Sequence, residues 1–244
     1  MRSVAVKWCV VVLVVFSILG CASAPSSQDI PADIDPFEDF NRAIFKFNDG
    51  LDWLILKPVA KGYRYVAPEF FEDGISNFFD NLLEVPSLIN SGLQGKGGKA
   101  LIHTGRFLVN STIGLLGFID VAQNLGLKKL DEEDFGQTLG VWGLGSGPYL
   151  VLPFLGPSTV RDGLSIPVDY YTQPVNYIDH DQTRNTLRLT NLVSTRAELL
   201  DAEKLISGDK YIFIRDSYLQ RRQFLIKDGE VEDTFGDSLD GGDF

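Results

Sequence analysis

The chain has 244 residues and carries 22 Lys and Arg against 33 Asp and Glu, a net charge of −11 at pH 7. So acidic a chain is a poor ligand for nucleic acid or for electrostatic adsorption to anionic lipid, and any membrane contact must come from acyl chains or apolar side chains. With two cysteines and two histidines, none in a metal-ligand spacing, no metal site, disulfide framework or thiol nucleophile is expected.

The N-terminus places Arg2 and Lys7 before 13 uncharged residues, Trp8 to Gly20. This is a charged n-region and an h-region of signal-peptide length, short for a bilayer span. Ile18-Leu19-Gly20-Cys21 resembles a bacterial lipobox, in which residues 1–20 are removed and Cys21 becomes the acylated N-terminus. An ordinary secretory signal cut after Ala22 or Ala24 is the competing reading. The lipobox reading removes Cys9 with the signal and occupies Cys21 with lipid. Two cations leave with the signal, which takes the mature net charge to −13.

Residues 21–34 are rich in Ser, Pro, Ala and Asp and read as a flexible tether. A helical stripe then runs through Phe37, Phe40, Ile44, Phe47, Leu51 and Leu54, with Asp35-Pro36 expected as its N-cap and Pro58 as its end. The charged residues fall largely off that stripe, so Phe37, Phe40, Ile44 and Phe47 are expected to form a helix seated at a membrane interface, against the alternative that they are core. A second stripe follows from Phe71 to Leu93, with Pro86 as a break or kink. A third helix is expected over Lys99 to Ser111, a fourth over Leu189 to Ile206 and a fifth from Asp209. No convincing alternating strand is found, so the fold class expected is all-α, as a single domain over 35–226. Residues 227–244 read as a disordered acidic tail; from Asp228 onward it holds seven acids and no cation.

Phe135 to Val160 is a run of 26 uncharged residues holding six glycines and three prolines. No plain spanning helix tolerates that composition, so it reads as a re-entrant or hairpin element. A buried apolar loop is the alternative. Within it, Gly143-Leu144-Gly145-Ser146-Gly147-Pro148 lacks the Gly-Lys-Ser/Thr of a phosphate loop, and Gly143, Gly145, Gly147 and Pro148 are expected to act as a hairpin or gate. Asp131 to Asp134 is expected to be a solvated acidic turn. Arg106, Arg161, Arg184 and Arg188 lie beside apolar segments; Arg106 and Arg161 are the candidates for head-group phosphate contacts, and structural pairing with carboxylates is the competing role. No Gly-x-Ser-x-Gly elbow or other nucleophile–base pair is visible, so no enzyme activity and no cofactor are expected.

An ordered set of motifs runs through 35–226. It opens with Asp35-Pro36-Phe37-Glu38 and Phe40-Asn41-Arg42. It continues with Lys57-Pro58-Val59-Ala60-Lys61-Gly62-Tyr63, Gly74-Ile75-Ser76-Asn77-Phe78 and Gly105-Arg106-Phe107. It peaks at Glu133-Asp134-Phe135-Gly136-Gln137-Thr138-Leu139-Gly140, then Gly147-Pro148-Tyr149 and Arg161-Asp162. In these motifs the chain resembles the MlaA (VacJ) lipoprotein family. The resemblance implies a helical ring in the inner leaflet of the Gram-negative outer membrane, facing the periplasm, with amphipathic interface helices and a polar channel. It implies removal of mislocalised phospholipid from the outer leaflet, handover to a periplasmic carrier (MlaC-like), and association with a trimeric porin. A lipid-anchored scaffold or adhesin without a channel is the alternative.

Overall fold

The structure, a computed structural model, describes residues 34–230. The signal peptide, Cys21, the tether up to residue 33 and the tail from residue 231 lie outside the described residues. Within them the fold is helical, with one small antiparallel sheet.

The first stripe forms α1 (Glu38–Leu51), which passes through a π-helical turn (Asp52–Leu56) into α2 (Lys57–Val66). Pro58 does not end the helical segment as expected. It lacks the N–H that would bond back to residue 54, and the wider π turn just before it absorbs that lost bond, so the chain stays helical. Nor does Asp35 cap α1. Phe37 is the N-cap residue, and Asp35 is buried, accepting from Asn41 Nδ2 at 2.7 Å and from the Tyr211 hydroxyl.

The next pair is α3 (Glu69–Leu93) and α4 (Gly97–Thr112), antiparallel helices joined by a turn at Gly95, whose φ is +76°. Pro86 lies inside α3 without ending it. Gly74 is required where the Phe118 ring lies against α3, because a Cβ there would fall 2.1 Å from the ring. After α4 the chain turns through Leu115 and Leu116, both in the left-handed region at φ 54° and 61°, a placement costing on the order of 1 kcal/mol each. A one-turn helix, α5 (Val121–Asn124), follows, capped by Asp120.

The uncharged run, expected as a re-entrant or hairpin element, does form a hairpin, but one of paired strands preceded by a short helix. It contains α6 (Phe135–Val141), a loop, and a two-stranded hairpin, β1 (Tyr149–Leu152) paired with β2 (Gly156–Thr159), with Tyr149 opposite Thr159 and Leu152 opposite Gly156. The hairpin leads directly into α7 (Val160–Thr172), which the sequence reading missed. Two long helices complete the fold: α8 (Asp181–Ala202), which begins well before the expected Leu189, and α9 (Lys210–Ile226). Side-chain caps set most of these starts: Asp134 for α6, Thr159 for α7, His180 for α8 and Asp209 for α9. Among the described residues no helix is long and apolar enough to cross a membrane.

The distribution of polarity is inverted relative to an ordinary soluble domain. Among the described residues, eight apolar or aromatic side chains are buried and nineteen polar or charged ones are. Charged groups are almost never fully buried unless paired, and here they are paired. Meanwhile α1 and the π turn expose Phe40, Trp53, Leu54 and Ile55, α3 exposes Phe70 and Leu93, and α4 exposes Leu101 and Leu108. So much contiguous apolar surface is the mark of a contact with lipid or with another protein.

Candidate functional site

The polar interior is built by the inward faces of α3 and α4. On α3, Asn81, Glu84, Ser87, Asn90 and Ser91 recur at three- and four-residue spacing; on α4, His103, Arg106 and Asn110 do the same. Each helix therefore buries a polar stripe, with Phe79 the one fully buried large apolar side chain of the pair, and exposes apolar side chains such as Phe70, Leu93, Leu101 and Leu108. The two stripes meet through charge. Arg106 Nε donates to Glu84 at 2.6 Å, its Nη2 to Asp120 at 2.9 Å and its Nη1 to the Leu127 carbonyl at 2.7 Å. His103 Nδ1 lies 2.5 Å from the other Glu84 oxygen, and Asn110 bridges Asp120 to the backbone N–H of Ala122. Burial works against the Arg106 charge, but the hydrogen bonds and charges of Asp120 and Glu84 outweigh it and raise its pKa. The buried atoms His103 Nε2, Ser91 Oγ, Gln94 Oε1 and Gln137 Oε1 have no protein partner. Such groups bury favourably only where water or a polar ligand reaches them. The interior is thus chemically suited to a hydrated path.

The acidic turn 131–134 divides: Asp131 and Glu132 stay exposed as expected, Asp134 is half-buried, and Glu133 is drawn into this interior. Glu133 is buried and bonded by Lys99 at 3.0 Å and by Gln94 at 2.9 Å. Asp134 and Asp162 share Arg222, whose Nη1 lies 2.5 Å from Asp134 and whose Nη2 lies 2.9 Å from Asp162. Burial pushes both carboxyls up, but Arg222 outweighs it, together with Tyr218 at Asp162, and leaves both lowered. This clamp ties α9 to α6 and α7. Among the described residues no group of acids and histidines could hold a metal.

Arg106 and Arg161, the two candidates for head-group contact, are 2% and 5% exposed. Arg106 is saturated by two carboxylates and a carbonyl, and Arg161 pairs with Asp162 at 2.9 Å. Both therefore stand as internal struts between carboxylates, the structural pairing weighed as their competing role. Arg184 and Arg188 bond Asp181 and Asn176 instead.

On α1 the stripe divides. Phe37, Phe40 and Phe47 are about half exposed, whereas Ile44 packs inward on the Tyr149–Val151–Tyr211 cluster. In the loop after α6, Gly143 has φ +91° and Gly147 φ +65°, both in the region that favours glycine, and a Cβ on Gly147 would lie 3.1 Å from Val160. Gly145 has open space around its Cα, and Pro148 immediately precedes β1. The hairpin tip exposes Phe154 and Leu155 and holds Phe154 edge-on against Phe47 at 5.4 Å, so the hairpin and the interface helix meet.

Sequence reading missed the α2–α8 seam. Ala60 packs on Ala197 and Leu200, and the Tyr63 ring packs beside them. One side of α2 opens onto an apolar groove of about 730 Å³ bounded by Val59, Tyr63, Val66, Phe71, Leu189 and Val193. The other side opens onto a cavity lined by charge. Its signal in sequence was Lys57, Lys61 and Arg64 at i, i+4 and i+7 on one helix face.

The comparisons with known proteins agree with this geometry. The MlaA lipoprotein family model matches residues 33–225. The intermembrane phospholipid transport system lipoprotein MlaA of Escherichia coli is 37% identical over 220 residues, 88% of this chain and 86% of that protein. Its namesake in Haemophilus influenzae is 33% identical over 223 residues, 89% of each chain. A solved structure described as a structural basis for maintenance of bacterial outer membrane lipid asymmetry aligns with TM-score 0.70 and 38% identity, over 79% of this chain and 98% of the other. The chain belongs to the MlaA lipoprotein family.

Proposed function

We propose that the chain is the outer-membrane component of an intermembrane phospholipid transport system, a conduit that takes mislocalised phospholipid from the outer leaflet toward the periplasm and so maintains lipid asymmetry. The observation that carries this reading is the inverted polarity: a buried polar stripe on α3 and α4, apolar side chains outward, and no spanning helix among the described residues. A phospholipid crossing an apolar layer needs a polar path for its head group and an apolar wall for its chains. A protein seated in one leaflet, with its polar groups inward, supplies both. The relatives named for phospholipid transport support the same substrate class.

The finer parts of the reading follow. Cys21 carries the lipid anchor that holds the chain at the periplasmic face of the outer membrane. Helices α1 and α2 seat the domain in a ring-like arrangement in the inner leaflet, with Phe37, Phe40 and Phe47 at the head-group boundary. The Gly143–Pro148 loop gates the path. A soluble MlaC-like carrier receives the lipid, and a trimeric porin is a neighbour in the membrane. No step is chemical, so the chain acts as a transporter component and not as an enzyme.

The test is surface-exposed phospholipid in a Gram-negative strain deleted for its own family member and complemented with this chain. Restored asymmetry at normal protein abundance supports the conduit. Normal abundance and membrane seating with no restoration favours a lipid-anchored scaffold.

A further inference from the structure

The cavity on the charged side of α2 has a volume of about 570 Å³ and is an open concavity bounded by α2, the end of α8 and the turn that follows. Lys57, Lys61, Arg64 and Lys204 line it against two carboxylates, Asp201 and Glu203, a surplus of two positive charges in a chain whose net charge is −11. Both carboxylates are already shared. Asp201 takes Arg64 and Lys204, and Glu203 takes Lys57, Arg196 and Lys210. The other ends of Arg196 and Lys210 are held by Asp52 and Asp49 and do not alter the surplus. The carboxyl of Asp201 is pulled down to about 2 by hydrogen bonds from Arg64 and Lys204. That of Glu203 is also held at about 2, because Arg196 and Lys57 outweigh its burial. Both stay ionised at neutral pH, so the surplus is fixed by the number of cations present. Lys61 is exposed and has no ion-pair partner among the described residues.

The rim is apolar. Tyr65 and Leu200 line the cavity, Tyr65 is 91% exposed, and Leu205 beside Lys204 is 78% exposed. Cations gathered in a concave site attract an anion, and Lys and Arg together suit phosphate oxygens. Exposed apolar side chains at the same mouth suit the glycerol and acyl part of an amphiphile and add nothing for a free ion.

We propose that this cavity is a phosphodiester subsite for a glycerophospholipid, in which Lys61 takes the phosphate and Arg64 and Lys204 share it with Asp201. The proposal rests on the phospholipid-transport reading and adds where a head group is held, outside the buried α3–α4 interior.

The test is calorimetric titration of the full-length lipidated protein in non-ionic detergent. The probes are dihexanoyl phosphatidylglycerol below its micellar concentration, dihexanoylglycerol, which lacks the phosphate, and inorganic phosphate. Wild type should bind the phospholipid at least about tenfold more tightly than either control. Lys61→Glu should weaken that binding about fivefold or more, while charge reversal at exposed Lys128, outside the cavity, should leave it unchanged. Lys61→Glu touches no internal contact, and its circular dichroism should match wild type, so loss of binding is not loss of fold. Equal binding of Lys61→Glu and wild type overturns the proposal, as does inorganic phosphate binding as tightly as the lipid. The complementation assay scores the transport reading separately. If wild type restores asymmetry while Lys61→Glu binds normally, the subsite alone falls. If wild type fails to restore asymmetry, the transport reading falls, and the titration still decides the cavity's ligand.

Discussion

The α3–α4 pair and the β-hairpin end of the molecule differ in what fills their interiors: a polar stripe in the first, an apolar cluster flanked by polar pairs in the second. Between α3 and α4 the buried groups are Glu84, His103, Arg106 and Asn110, and the apolar residues Leu93, Leu101 and Leu108 face out. At the hairpin end an apolar cluster exists, Tyr149, Val151 and Tyr211 packed against Ile44, Phe45, Tyr218 and Leu219, and buried polar groups such as Asp35, Asn41 and Asp162 flank it. The difference teaches where stability comes from in each half. Hydrophobic burial drives packing only when the alternative surroundings are water. Where the outside is itself apolar, as it is for lipid-facing α3 and α4 under the transport reading, Leu and Ile gain little by turning inward, and helix–helix contact must come from hydrogen bonds and ion pairs.

The comparison is tested most severely by Arg106→Met. It leaves Glu84 buried and Asp120 half-buried without their cation, and breaking a buried pair in this way costs about 3–5 kcal/mol. Thermal unfolding in detergent should show this loss, and cellular abundance should fall with it. Adding Glu84→Gln and Asp120→Asn should recover most of the loss, because the cost lies in stranded charges and not in lost volume. If the single variant unfolds like wild type, the polar interior is not what holds α3 to α4.

In the hairpin half the corresponding probe is Val151→Ala. Val151 is 2% exposed, and removing two methyl groups from a packed site costs about 2 kcal/mol, cavity included. The same end also holds the Arg222 clamp, and pH separates its ionic contribution from the apolar packing. Asp134 and Asp162 have lowered carboxyl pKa values through Arg222. A lowered folded-state value adds stability above the unfolded carboxylate pKa, near ~4, and that stability is lost as pH falls through the folded value. Acidification from pH 5 to pH 3 should therefore destabilise wild type, and an Arg222→Met variant, already weakened at pH 7, should lose much less over the same interval. The Val151→Ala penalty should stay nearly constant, since no charge is involved. A penalty at Val151 that tracks pH would mean the apolar cluster and the ionic clamp beside it are not separable.

How much of this was legible in sequence follows from what periodicity can see. The stripes of α1, α3 and α4 were readable because apolar spacing of three and four residues survives any environment. The direction was read only for α1, whose Phe40 is exposed; for α3 and α4 it was not, since Leu101 faces out and the narrow polar stripe Glu84, Ser87, Asn90, Ser91 faces in. The clue was present in the same residues, because a buried polar stripe also recurs at helical spacing, but a single sequence does not say which side meets solvent. The π turn stayed hidden because Pro58 carries the ordinary signal of a helix end. Helix α7 was hidden by Pro167 inside it, and β1 by Tyr149-Leu150-Val151-Leu152, which has no polar alternation. Arg106 and Arg161 looked available because their carboxylate partners, except Asp162, come from distant parts of the chain.

A smaller effect on stability, but one on location, is expected for the exposed aromatics of α1. Phe37 and Phe40 are 49% and 57% exposed, so replacing both by Asp creates no core cavity. Abundance should hold while membrane recovery under high-pH wash falls, because two interfacial aromatic rings are lost and two charges are added at the same depth. Degradation of the double variant would place these rings in the core and join α1 to the hairpin half of the comparison.

The smallest effect on the fold is expected at Gly145, and it bears on the gate. Gly143 and Gly147 sit at positive φ, so a side chain there strains the backbone by roughly 1 kcal/mol or more, whatever its role in traffic. Gly145 has no such φ, and a Cβ there meets nothing within 4 Å. Gly145→Ala should thus leave melting temperature and abundance within error of wild type, while narrowing the conformations open to the loop between α6 and β1. That separates the two roles a glycine can play. If surface phospholipid changes in Gly145→Ala with the fold intact, the loop is a moving part of the conduit. If traffic is normal in Gly145→Ala and falls at Gly143→Ala and Gly147→Ala only in proportion to lost protein, these glycines serve the turn into the hairpin. The loop is then a static connector between the ionic half and the apolar one.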